Sequence, residues 1–82
     1  MEVNQVKALL ESALTDTQNA VRLMVAARNE IDNAIQIIQL VRLTSSDPVG
    51  LPALQQMRDR IDEAINGYPR FDDDVNRYKI GL

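Results

Sequence analysis

The sequence has no cysteine, no histidine and no tryptophan. Without cysteine there is no disulfide framework, and thiol usage says nothing about redox compartment. Without cysteine and histidine the commonest zinc, copper and haem ligands are missing. The usual general base and the thiol nucleophile are missing too. Ser12, Ser45 and Ser46 have no imidazole to activate them and no glycine elbow around them. No glycine loop of the phosphate-binding kind occurs. The expectation is a non-catalytic chain that takes no metal and no cofactor.

Aromatic residues are few, and Tyr68, Phe71 and Tyr78 all lie in the last fifteen positions. Any core formed by the rest is therefore aliphatic. The net charge is −3 and is spread along the chain, with no basic stripe. Nucleic-acid binding needs such a stripe, so none is expected. No stretch reaches the ~18 apolar residues of a membrane span. The longest uncharged apolar-rich run, from Asn33 to Val41, is interrupted by Gln36 and Gln39. No basic-then-apolar leader opens the chain, so no signal peptide is expected. These features suggest a cytoplasmic protein or part of an assembled particle.

Glycine and proline are absent from residues 3–43. What fills that stretch is a seven-residue repeat. One column reads Val3, Leu10, Thr17, Met24, Ile31, Ile38, and a second reads Val6, Ala13, Ala20, Ala27, Ala34, Val41. The flanking columns are Lys7, Leu14, Val21, Arg28, Ile35, Arg42 and Glu2, Leu9, Asp16, Leu23, Glu30, Ile37. Each flank is half apolar, so the apolar stripe is wider than a simple two-column seam. Thr15 and Gln18 have capping-box spacing, yet the repeat passes them without a slip. One continuous helix over about 2–43 is expected.

Turn formers cluster over residues 44–51. A second helix is expected over about 52–66, opened by Pro52 and closed by Gly67. At ~22 Å it would cover little more than a third of the first. Tyr68-Pro69 should be extended, and a short helix capped by Asp72 should follow within 68–82. The fold class is all-α: a single helical domain over residues 1–82. Its long heptad-patterned helix packs antiparallel with a short second helix and a short C-terminal helix, as a bundle completed by oligomerisation.

Acidic pairs invite a metal reading, but the sequence supports a simpler one. Asp59 and Glu63 lie one turn apart with no third ligand, as on a solvated face. Asp72-Asp73-Asp74 lacks the spacing, glycine and distal glutamate of a calcium loop, and reads as a helix cap. Arg58 and Asp62 have ion-pair spacing, as do Asp73 and Arg77.

The chemistry-bearing feature is therefore the apolar seam. Alanine rows flanked by larger aliphatics suit close helix contacts, in which large and small residues interdigitate. The expected interface consists of Val6, Leu10, Ala13, Ala20, Met24, Ala27, Ile31, Ala34, Ile38 and Val41. Tyr68, Phe71, Val75 and Tyr78 make an expected docking tail. This reads as a non-catalytic assembly or adaptor protein acting as a homo-oligomer, such as a small structural component of a phage or secretion assembly.

The alternative is a small helical module that binds one protein partner, for instance an inhibitor. Here Tyr68-Pro69-Arg70-Phe71-Asp72 spells Tyr-x-x-x-Asp. It resembles the C-terminal signal of the WXG family of type VII secretion substrates, which are small helical hairpins. The resemblance implies a secreted protein working through one partner, although a Ser-Asp-Pro turn stands where that family has Trp-x-Gly.

Overall fold

The computed structural model describes residues 1–42 and 50–82 of the chain, and among them it contains two helices and no strand. The first, α1, runs Val3–Arg42 and the second, α2, runs Leu51–Ile80. The molecule measures 63 × 15 × 15 Å. Its length is that of α1 alone, 40 residues at ~1.5 Å each. The end of the expected long helix and most of the expected turn, residues 43–49, lie outside the described residues.

The first helix is continuous past Thr15, as the unbroken repeat implies. Thr17, the polar member of its column, donates its hydroxyl to the Ala13 carbonyl at 2.7 Å. That satisfies the hydroxyl within its own helix. At the start of α2, Gly50 adopts φ 63°, ψ 6°. This left-handed conformation favours glycine. Its carbonyl accepts the Leu54 N–H at 3.1 Å. Pro52 follows in the first turn, where its missing donor costs nothing.

The rest of α2 corrects the sequence reading. Neither Gly67 nor Pro69 interrupts it, and the expected break over 66–72 and separate C-terminal helix are absent. Interior proline costs a helix ~3 kcal/mol and interior glycine ~1 kcal/mol. What opposes those costs is a row that keeps its phase straight through them. Ile61, Ile65, Tyr68, Asp72, Val75 and Lys79 are all half-buried at spacings of four and three. Ending the helix at Gly67 would turn half of that row away from α1. Local preference loses to packing. Asp72 consequently sits inside a helix rather than capping one, accepting bonds from the Tyr68 hydroxyl at 3.4 Å and from Asn76 Nδ2 at 3.3 Å.

Three ion pairs show that the helices run antiparallel. Glu11 meets Lys79, Arg28 meets Asp62, and Asp32 meets Arg58. In each pair the two residue numbers add to 90, so one register holds along the whole hairpin. With 30 residues against 40, α2 covers about three quarters of α1, not a third. Only Ile35 and Leu51, at 5% and 6% exposure, are buried among the described residues.

Candidate interface along the hairpin

Half-burial identifies which columns of α1 face α2. They are Lys7, Leu14, Val21, Arg28, Ile35 and Leu10, Thr17, Met24, Ile31, Ile38. The seam of the hairpin is thus rotated by one column from the one the sequence suggests. Lys7 and Arg28 made the first column look like a flank. The alanine column, wholly apolar, looked like a seam. Arginine occupies the seam by laying its stem along it and carrying its charge to the edge.

That edge is polar. Arg28 Nη1 donates to Asp62 Oδ1 at 3.1 Å, and Lys79 Nζ to Glu11 Oε1 at 3.1 Å. Arg58 reaches Asp32 at 3.5 Å and Asp59 at 3.7 Å. The sequence spacing suggested Arg58 with Asp62 and Asp73 with Arg77. The structure instead joins Arg58 and Asp62 to the opposite helix, and Arg77 to Asp74 at 4.0 Å. Each cross-helix pair is part-exposed and worth only ~0.2–1 kcal/mol. Their larger effect is to fix direction and register, because charged groups that meet only one way penalise the alternatives.

The opposite edge is apolar. On α1 it carries Ala13, Ala20 and Ala27, all exposed, with Ala34 half-buried. On α2 it carries Met57, Ala64, Phe71 and Tyr78, also exposed and seven apart. The common register sets Tyr78 level with Ala13, Phe71 with Ala20, Ala64 with Ala27 and Met57 with Ala34, each to within one residue. Beyond the alanines, α1 adds Leu9, Leu23 and Ile37, exposed to 58%, 72% and 61%. The result is an apolar strip along most of the molecule, with Asp16 and Glu30 set between the large residues of its outer α1 column.

The structure divides the expected interface residues between two roles. Leu10, Met24, Ile31 and Ile38 are half-buried on the seam with α2, while Ala13, Ala20, Ala27 and Val41 are exposed. Val6 and Ala34 are half-buried on the flank. The docking tail divides in the same way. Tyr68 and Val75 lie on the seam, and Phe71 and Tyr78 lie on the open edge. The Tyr68 and Phe71 rings stay in tilted contact, 6.5 Å between centroids. The Tyr-x-x-x-Asp run lies within α2, its two ends bonded to each other.

The strip's α2 half was missed as a column, because Gly67 and Pro69 appeared to separate Met57 from Phe71. Their seven-residue spacing was the available signal. No group of three or more potential metal ligands gathers among the described residues. No described helix is long and apolar enough to cross a membrane. The chain matches no protein-family model, no curated protein and no solved structure with which it was compared.

Proposed function

We propose that this chain is a non-catalytic assembly protein, a helical hairpin that self-associates through its apolar edge. It would serve as a small structural component or adaptor within a larger particle. The observation that carries this reading is excess surface. The chain exposes 6133 Å², whereas a compact monomer of 9.2 kDa exposes about 4,900 Å². The difference, roughly 1,200 Å², is the size of a standard interface's share or more. Part of it follows from the elongated shape, but the uncovered residues include the large aliphatics and aromatics of one edge, whose exposure water does not favour.

Thermal unfolding at several protein concentrations tests the reading. When folding is coupled to association, the melting temperature rises with concentration by mass action. We expect that rise between about 1 and 100 µM. A melting temperature independent of concentration, with a monomeric mass, would favour a module that waits for a different protein partner.

A further inference from the structure

Two outward columns of the hairpin repeat every fourteen residues, and they do so in phase. On α1, beside the alanines, Leu9, Leu23 and Ile37 alternate with Asp16 and Glu30. On α2 and its C-terminal cap, beside Met57 and Phe71, the small residues Ala53, Gly67 and Gly81 alternate with Arg60 and Asp74. The register fixed by the ion pairs puts residues whose numbers add to 90 at one level. Leu9 is thus level with Gly81, Leu23 with Gly67, and Ile37 with Ala53. Glu30 is level with Arg60.

Within one hairpin these columns point away from each other, so their match serves no internal contact. Gly67 makes the point sharply. A methyl group built there would meet nothing within 4 Å, and its φ is not positive. Neither crowding nor backbone conformation in the hairpin calls for glycine, yet glycine weakens a helix interior. A glycine with those properties fits a place where another chain comes close.

We infer that the apolar edge is covered by a second copy of this chain, related by a two-fold axis parallel to the helices, so that α1 of each copy lies over α2 of the other with Leu23 seated on Gly67. This rests on the self-association reading and specifies its geometry. A two-fold along the helices leaves the level of every residue unchanged. The match of large on small inside one copy therefore becomes a match between copies. Glu30 of one copy then faces Arg60 of the other. Asp16 faces Asp74, whose charge is offset by Arg77 at 4.0 Å.

The competing two-fold, across the helices, stacks α1 on α1. Centred on the same level, it sets Leu23 against Leu23 and Asp16 against Glu30, while leaving Gly67 against Gly67. It places leucine bulk in one layer and a void in the other, whereas close packing favours large residues against small ones. The charges do not distinguish the two arrangements, because each brings one like pair together (Asp16 with Glu30 or with Asp74) and one opposite pair (Arg60 with Asp74 or with Glu30). Two copies carry at most about 2,400 Å² of excess surface between them, part of it owed to their elongated shape, which leaves room for a stable interface of standard size.

The absence of native cysteine makes a clean test possible. Full-length Leu23→Cys and Gly67→Cys chains are oxidised separately and as a mixture, then run without reductant. A disulfide needs Cα atoms within ~7 Å. The mixture should give a cross-linked dimer, and neither variant alone should do so. Cross-linking of Leu23→Cys with itself, with nothing added by mixing, overturns this geometry while leaving self-association standing. A monomeric mass for the unaltered chain overturns self-association itself. Gly67→Leu gives an independent reading: its helix content by circular dichroism should hold or rise, while the dimer dissociation constant rises at least about tenfold. An unchanged dissociation constant would also overturn the geometry.

Discussion

Lys79 Nζ stands 3.1 Å from Glu11 Oε1, joining residues 68 positions apart in the chain. That contact exists only because α2 continues past Pro69 to the far end of α1. Lys79 is the less exposed partner, its stem lying on the seam. In a double-mutant cycle, Lys79→Ala and Glu11→Ala should show a coupling of ~0.2–1 kcal/mol that weakens in high salt. Zero coupling at low salt would place the two helix ends apart.

Pro69→Ala should stabilise the chain, by up to ~3 kcal/mol, because it restores a donor in the helix interior and removes a ring clash. Were Pro69 instead in an extended linker, the same change would be neutral or destabilising, since proline stiffens an unfolded chain. Urea unfolding of the two chains distinguishes these cases.

Ile35→Ala should cost ~2–5 kcal/mol, since Ile35 is one of the two buried side chains among the described residues. Leu23→Ala, at an exposed site, should cost little in dilute solution and more as concentration rises. Denaturation of each variant at two protein concentrations checks both halves of this statement. Equal losses at Leu23 under both conditions would mean that its side chain serves only the monomer.

Phe71→Ala should behave like Leu23→Ala rather than like Ile35→Ala, because the ring lies on the open edge beside Tyr68. Tyr68→Phe removes the bond to Asp72 and should cost about 0.5–1.5 kcal/mol regardless of concentration. A large, concentration-independent loss at Phe71 would show that it belongs to the core of a single hairpin.

The first helix was legible because nothing in it competes with its repeat. Its buried face was legible only in part. Arg28 and Lys7 occupy seam positions, and a polarity pattern cannot tell a charge on the seam from one on a flank without knowing its partner. Asp62, the partner of Arg28, lies 34 residues away, and only the folded register brings it close. The second helix was misread where local signals are strongest. Gly67 and Pro69 both favour a stop, and Asp72 and Lys79 disguise the row that overrides them. The alanine column reads in the sequence as the seam itself, but the structure places it outside the seam of the single chain.

Sedimentation equilibrium of the unaltered protein shows whether the apolar edge joins copies of this chain. The account predicts a mass of at least twice the 9.2 kDa chain at about 100 µM, falling toward the single-chain value on dilution. Charge reversal at one position, Glu30→Arg or Arg60→Glu, should shift that equilibrium toward the single chain, and the two together should shift it back. A mass of one chain throughout the range, unchanged by these substitutions, would contradict the account.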